Sequence, residues 1–263
     1  MLRYLRNGRD AAAWVHVDAL IQAYFVALLW LLGNGVAFNP GNPYNASATQ
    51  AGFGTFGGPH IIALMSEVSS RALKAQWFQK WWLHRTLRPE EFGGLVHWTK
   101  TGARSYPLHS DILNSHAVAK VFEQYGTYLL PQAYSTGSPQ HPSYGSGHST
   151  VAGACVTMLK AYFSTDDAVF PQPVAPSPDG LSLVPYSGSD AGQMTLTGEL
   201  HKLAANVGIG RDHAGIHWRS DYLQALLLGE ALAISVLRDQ RLCYNEAFPG
   251  LTFTQFDGTT VTV

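Results

Sequence analysis

The run His141-Pro142-Ser143-Tyr144-Gly145-Ser146-Gly147-His148-Ser149-Thr150 carries the residue types best suited to chemistry. A Gly, Ser and Pro turn leads directly into an apolar helical run from Val151 to Phe163. The first N–H groups of such a helix lack internal partners and carry the positive end of its dipole, which makes the junction a site for an anion. Ser146, Gly147 and His148 stand where those donors emerge. Two further stretches add reactive groups. Lys80-Trp81-Trp82-Leu83-His84-Arg85-Thr86-Leu87-Arg88-Pro89 puts Lys80 and Arg88 about two helical turns apart, close enough for both side chains to meet one ligand. Taken alone, the same run also reads as a basic helix C-terminus complementing the dipole. Gly208-Ile209-Gly210-Arg211-Asp212-His213-Ala214-Gly215-Ile216-His217-Trp218-Arg219-Ser220-Asp221 adds Arg211, His217 and Asp221.

The elements that must position these residues read as helices joined by long loops. Asp10 can cap a helix through about Leu32, with Trp14, Val17, Asp18, Ile21, Tyr24, Phe25, Leu28 and Leu32 near helical spacing. Asp18, polar within that stripe, admits two readings: a solvated or cap-proximal acid, or a buried carboxylate steadying an arginine elsewhere. Residues 33–59 are rich in Gly, Pro and Asn and read as a loop. Pro59 suits the first turn of a helix through about Leu87, which Pro89 ends, and an irregular segment follows. Ser110 or Asp111 can cap a helix that Gly126 ends, and residues 128–144 form the loop into the central run. The helix after His148 ends near Ser164, residues 166–195 form a surface excursion, and Thr197 opens a helix through about Val207. A final long helix ends near Arg241, and residues 251–263 alternate around an Asp-Gly turn as a hairpin. The expected class is mainly α, a helical bundle with a small C-terminal β-hairpin, organised as one domain over residues 1–263.

Composition limits the partners. With 17 basic and 18 acidic residues the net charge is −1, so no global field points to nucleic acid or an anionic membrane. Only 13% of residues are charged and 46% are hydrophobic, which suits a large core or a chain that covers part of itself by homo-oligomerisation. Cys155 and Cys243 show no metal or redox spacing and read as buried thiols. The start, from Met1, is too polar for a secretory h-region, and the apolar segment Ala23 to Leu32 falls short of the roughly 20 residues of a membrane span. No signal peptide or transmembrane segment is visible, and a soluble chain is expected.

Lys80 through Arg88-Pro89, Ser146-Gly147-His148, and Arg211 followed by His217 reproduce in order the three-part signature shared by vanadium-dependent haloperoxidases and phosphatidic acid phosphatase type 2 enzymes. Within that superfamily the Lys80 to Gly94 run, the His141 to His148 run and the Arg6-Asn7-Gly8-Arg9-Asp10 opening resemble the red-algal and cyanobacterial bromoperoxidases. The resemblance covers nearly the whole chain and matches the C-terminal half of such enzymes. It implies the helical bundle of that superfamily and a vanadate cofactor, with no haem or flavin. Lys80, Arg88 and Arg211 would then bring three cations into one pocket, where burial without a counter-ion is prohibitive and a tetrahedral oxyanion supplies one. Ser146 and Gly147 would add neutral donors, and His217 would ligate vanadium. Asp221 is either an outer-shell partner of His217 or an arginine's ion-pair partner, with a plain capping or surface role as the alternative. His148 would be the acid–base group, Lys80 would polarise bound peroxide, and His141 would bear on the halide. Without the resemblance, His141 reads equally well as packing within the loop.

The implied activity is oxidation of bromide and iodide by hydrogen peroxide to hypohalous acid, which halogenates a small organic acceptor. The same pocket also suits a phosphomonoester or pyrophosphate hydrolase with His217 as nucleophile and His148 as acid, because vanadate resembles the phosphoryl-transfer transition state. The longer lysine-to-arginine interval, His141 and the absence of a visible membrane span favour the peroxidase. A non-catalytic oxyanion-binding or assembly module is the third reading.

Overall fold

The computed structural model describes residues 3–263; Met1 and Leu2, at the start of the polar N-terminal stretch, lie outside the described residues. Helix α1 (Gly8–Trp14) is capped by Asn7, whose side chain accepts from the Asp10 amide at 3.0 Å, and α2 spans Gln22–Gly33. Helix α3 (Gly58–Phe78) passes into a π-helical turn, Gln79–His84. Then come α4 (Pro89–Lys100), α5 (Ser110–Leu113), α6 (His116–Tyr125) and α7 (Gly147–Tyr162). A small antiparallel pair, β1 (Val174–Pro176) and β2 (Leu183–Pro185), decorates the 166–195 excursion. Helices α8 (Leu196–His213) and α9 (Arg219–Arg241) complete the bundle, and β3 (Thr252–Thr254) pairs with β4 (Thr260–Thr262) around Asp257-Gly258. The mainly α bundle and the C-terminal hairpin agree with the expectation.

Helix α7 is the axis of the core. Every residue from Ser149 to Tyr162 is buried, so the helix has no solvent face, and its polar residues Ser149, Thr150, Thr157 and Lys160 are enclosed with the apolar ones. It packs against α9, α3 and α8. The approach to α9 depends on glycine at two positions. A Cβ at Gly153 would lie 2.1 Å from the Leu226 carbonyl oxygen, and one at Gly229 would lie 2.1 Å from that of Thr150. Helix α9 is, among the described residues, long and apolar enough to cross a membrane by length and composition, but half of that window is buried against the bundle.

Several local expectations are corrected. The single helix from Asp10 to Leu32 is broken over residues 15–21, and Val17 is exposed. The break frees the Val15 carbonyl, which accepts from Arg211 Nη1 at 2.6 Å, and releases Asp18 from the helical stripe. The segment after Arg88 is not irregular but forms α4, with Pro89 at its start and the Glu91 carboxylate accepting from the Arg88 amide at 2.8 Å. The helix opened near Thr197 does not stop at Val207, because Gly208 and Gly210 serve close packing: Cβ atoms there would press on Tyr222 and on Ala11. Helices α5 and α6 divide the span expected as one helix, with Ser115 as the second cap and Gly126 closing it at φ 65°. Cys155 is buried as expected, but Cys243 is exposed.

Gly153→Ala and Gly229→Ala should each lower stability by about 1–3 kcal/mol, the usual cost of overpacking a rigid core. That corresponds to roughly 2–4 °C of melting temperature per kcal/mol in a chain of this size. Gly33→Ala, where a Cβ meets nothing within 4 Å, should leave the melting temperature unchanged or raise it. Equal melting temperatures for all three variants would contradict this packing.

Candidate active site

The central run connects α3 and α4 to α7 and α9. Lys80 lies at the start of the π-helical turn and is fully buried; its Nζ donates to the carbonyls of Pro142 at 2.7 Å and Ser143 at 2.9 Å. Arg85 then adopts φ 46° and reverses the chain, and Thr86 to Arg88 return extended into α4. Lys80 and Arg88 therefore meet through this reversal, not through the two turns of helix expected from their spacing. The Ser143 amide donates to the Thr86 carbonyl at 2.9 Å and ties the returning segment to the loop.

Arg88 is 2% exposed and spends its donors on the loop and on His217. Nε donates to the His141 carbonyl at 2.9 Å, Nη1 to the Ile216 carbonyl at 2.9 Å and His217 Nε2 at 3.0 Å, and Nη2 to His141 Nδ1 at 3.0 Å. Guanidinium has no acceptor, so both ring nitrogens it contacts present lone pairs. Arg211, on α8, is 5% exposed; beside its bond to Val15 it lies 5.9 Å over the Tyr134 ring, and its Nε is buried without a partner. Among the described residues, none of these three cations forms an ion pair with a carboxylate within 4 Å.

The two histidines next to the loop are each backed by an acid. His217 Nδ1 lies 2.9 Å from Asp221 Oδ2, one helical turn on. The same oxygen accepts from the Trp218 amide at 3.0 Å and, closely, from the Ser143 hydroxyl. With Nδ1–H given to the carboxylate, His217 is the tautomer whose Nε2 lone pair faces Arg88. Of the readings of Asp221, its position matches two: it lies beside His217 and it caps α9, and among the described residues it ion-pairs no arginine. His148 Nε2 lies 2.7 Å from Asp18 Oδ1, so its Nδ1 is left to act on a ligand. Asp18 is therefore a half-buried partner of a histidine, with Arg211 near enough to add a favourable charge.

Burial sets the charge states. It pulls Lys80 down to about 7, with Arg88 adding repulsion, and Arg88 down to about 10, with Arg211 adding repulsion. His141 falls to about 4 through burial and the charges of Lys80 and Arg88, and His217 falls well below the ordinary histidine value for the same reasons. His148 is lowered by burial while Asp18 opposes the drop. Burial works to raise Asp18, and the His148 hydrogen bond and charge outweigh it, leaving the carboxyl below its usual value. Burial raises the Asp221 carboxyl against the donors of Ser143 and Trp218. The site thus gathers two arginines and a lysine that gives up its proton near neutral pH around neutral imidazoles.

Ser146 caps α7, its Oγ accepting from the Ser149 amide at 3.3 Å, while its own amide donates to the Asp221 carbonyl at 3.0 Å. Its hydroxyl hydrogen stays free to donate, beside the Gly147 amide at the first position of the helix. All ten expected site residues, Lys80, Arg88, His141, Ser146, Gly147, His148, Arg211, His217, Asp221 and Asp18, lie on the elements that meet at this end of the bundle. His84, Arg85 and His213 are exposed, and His213 packs on Gly8. Two contributors were missed. Ser143 braces Asp221, and the Trp77 ring lies 4.6 Å from that of His141. Trp77 stands three residues before Lys80, a helical spacing that could have revealed it. A polar cavity of about 540 Å³ opens onto Arg88 and His141, with Trp81 and Glu90 at its edge.

A family model described as the VCPO second helical-bundle domain matches residues 60–246. The chain is 42% identical to the vanadium-dependent bromoperoxidases of Corallina pilulifera and Corallina officinalis, over 99% of its own length and 47% of theirs. It is 38% identical to that of Ascophyllum nodosum, over 93% of its length and 46% of the relative's. A solved structure, the homohexameric second vanadate-dependent bromoperoxidase from Ascophyllum nodosum, superposes with a TM-score of 0.84 at 33% identity, covering 98% of this chain and 48% of that one. The chain spans about half the length of the curated relatives it matches. With a family model over most of its length and full-length identity above two fifths, the chain belongs to the vanadium-dependent haloperoxidase family, through its VCPO second helical-bundle domain.

Proposed function

We propose that residues 1–263 act as one catalytic domain of a vanadate-dependent haloperoxidase that oxidises bromide, and iodide with it, by hydrogen peroxide. Peroxide, bromide and one proton give hypobromous acid and water, and the hypobromous acid halogenates a small organic acceptor. The observation that carries this reading is the buried trio Lys80, Arg88 and Arg211, which no carboxylate neutralises, around a neutral His217 whose Nε2 lone pair points at Arg88. A tetrahedral oxyanion fits that set. It would offer the missing negative charge, an acceptor for the orphaned Arg211 Nε, and a metal centre that takes the imidazole lone pair in place of Arg88 Nη1, which then donates to an oxo group.

In this reading Lys80, Arg88 and Arg211 hold the oxo groups, Ser146 Oγ and the Gly147 amide add neutral donors, and His217 Nε2 is the vanadium ligand. When bound, vanadate supplies Lewis acidity at vanadium(V) that activates peroxide towards halide. Asp221 holds His217 in the ligating tautomer, and Ser143 and the Trp218 amide hold Asp221. His148, neutral at rest, takes up a proton at Nδ1 while Asp18 stabilises the charged ring. His141, neutral and fixed between Arg88 and Trp77, borders the halide position and favours bromide over chloride. The names of the relatives support the cofactor and the halide, and the hexameric relative supports a homo-oligomer.

A second reading, phosphomonoester hydrolysis, is favoured by one observation: a carboxylate behind a neutral imidazole is also the arrangement of a nucleophilic histidine. Purified protein loaded with orthovanadate should brominate a dione dye with peroxide and bromide, and p-nitrophenyl phosphate should be turned over slowly or not at all. Brisk phosphatase turnover with no bromination would sink the peroxidase reading.

His217→Ala should lose tight vanadate binding, whereas His148→Ala should keep it and lose about 10²–10⁴-fold in turnover; equal vanadate affinity in the two variants, by calorimetry, would contradict the division of roles. The pH dependence follows from Lys80. Unbound, it loses its proton as pH rises through about 7, and holding an anion requires that proton back. Vanadate affinity should therefore fall above pH 7 more steeply in the wild type than in Lys80→Ala, and parallel pH profiles would refute it.

A further inference from the structure

The polar cavity at Arg88 and His141 has one electron-rich carbon ring in its wall, the indole of Trp81. Among the described residues that line it, no methionine, cysteine or tyrosine stands beside Trp81. His141 shares the cavity, but its Nδ1 lone pair is taken by Arg88 Nη2 at 3.0 Å, and a neutral imidazole has no second one to offer an electrophile. The remaining side chains are carboxylates, hydroxyls, an amide, guanidinium groups and saturated carbon, none of which readily yields an electron pair to a mild oxidant. Trp81 is also held at this wall: it belongs to the π-helical turn, and Arg85 Nε donates to its carbonyl at 2.9 Å.

The next residue in the chain supplies the comparison. Trp82 carries the same indole and is 72% exposed against 43% for Trp81, yet it does not line the cavity. An oxidant arriving from bulk solvent therefore meets Trp82 more readily, whereas one released beside Arg88 and His141 meets Trp81 first. The sulfur side chains, which are oxidised more easily than indole, stand elsewhere. Met65, Met158 and Cys155 are fully buried, Met194 belongs to the 166–195 excursion, and Cys243 follows α9.

We propose that Trp81 is a self-modification site, which intercepts hypobromous acid leaving through the polar cavity and is oxidised to the 2-oxindole. This rests on the haloperoxidase reading above. Indole C3 bonds to bromine as the O–Br bond breaks and hydroxide leaves. Hydroxide then adds at C2, and bromide and a proton depart. The ring loses two electrons, the bromine of hypobromous acid gains them as bromide, and the side chain keeps one oxygen. Because Trp81 and the organic acceptor consume the same oxidant, each protects the other's competitor: ample acceptor spares Trp81, and scarce acceptor exposes it.

The test gives the vanadate-loaded protein peroxide and bromide with no organic acceptor and follows each tryptophan by peptide mass spectrometry. One added oxygen should appear at Trp81 several times faster than at Trp82. Reagent hypobromous acid, added to the same protein without peroxide, should reverse that order, and saturating dione dye during turnover should suppress the oxygen at Trp81. Trp81→Phe should keep the wild-type initial rate of bromide-dependent peroxide consumption. Bromide oxidation with the same Trp81 to Trp82 ratio in turnover as with reagent would overturn the modification site alone, since the oxidant would then act from bulk solvent. A lower initial rate in Trp81→Phe would make the indole part of the reaction itself and overturn the proposal. No bromide oxidation by the wild type would overturn the haloperoxidase reading and this proposal with it.

Discussion

Positive charge buried without a carboxylate to neutralise it is the constraint on which the rest of the structure depends. Removing an ion from water costs on the order of several kcal/mol even after the protein relaxes. Lys80, Arg88 and Arg211 are all placed below 6% exposure, and what they receive in return is backbone carbonyl oxygen. Pro142 and Ser143 serve Lys80, His141 and Ile216 serve Arg88, and Val15 serves Arg211. Each such carbonyl has to be freed from a regular ladder. That requirement accounts for the helix that stops at Trp14, the loop that precedes α7, and the irregular turn between α8 and α9. Carbonyl dipoles hold the cations in place without cancelling their charge, so the depressed values of Lys80 and Arg88 persist and the site stays electrophilic.

The histidines divide by which ring nitrogen faces an acid. Asp221 takes Nδ1 of His217 and leaves Nε2 inward, while Asp18 takes Nε2 of His148 and leaves Nδ1. Surrounding cations keep His217 neutral, a condition for lending a lone pair. His148 has the nearer acid, and Asp18 opposes the lowering of its basicity, which suits the proton-carrying role proposed for it. His141 has no acid partner, accepts from Arg88 and rests against Trp77, which makes it a fixed neutral wall.

Rigidity comes from α7. Its burial on every side and its two glycine contacts with α9 fix the position of the helix start to which Ser146, Gly147 and His148 belong. Helix α9 contributes at the other end: the Asp221 carbonyl receives the Ser146 amide, so the cap of one helix is held by the first turn of the other. The groups proposed to bind the anion thus inherit the precision of the core rather than the mobility of a loop.

The residues that the structure gathers at one end of the bundle could be named from the sequence, because an oxyanion pocket of the kind proposed would draw on arginine, lysine, helix-start donors and histidine, and few other types could replace them. Helix α7, helix α9 and the Asp257-Gly258 hairpin were legible for the same kind of reason, since apolar length and turn chemistry act locally. Helix α4 and the last turns of α8 were not legible, although at Gly93, Gly208 and Gly210 the missing Cβ admits a neighbour and the helix continues. The route by which Lys80 meets Arg88 was also hidden, because a π-helical turn and a left-handed Arg85 answer to carbonyls more than fifty residues away. Asp18 could not be assigned from its own surroundings; its partner, His148, lies 130 residues along the chain. Sequence determined which groups could bind and move protons, through their chemistry alone, and tertiary structure decided which nitrogen, which carbonyl and which carboxylate each would face, because those choices depend on contacts distant in the chain.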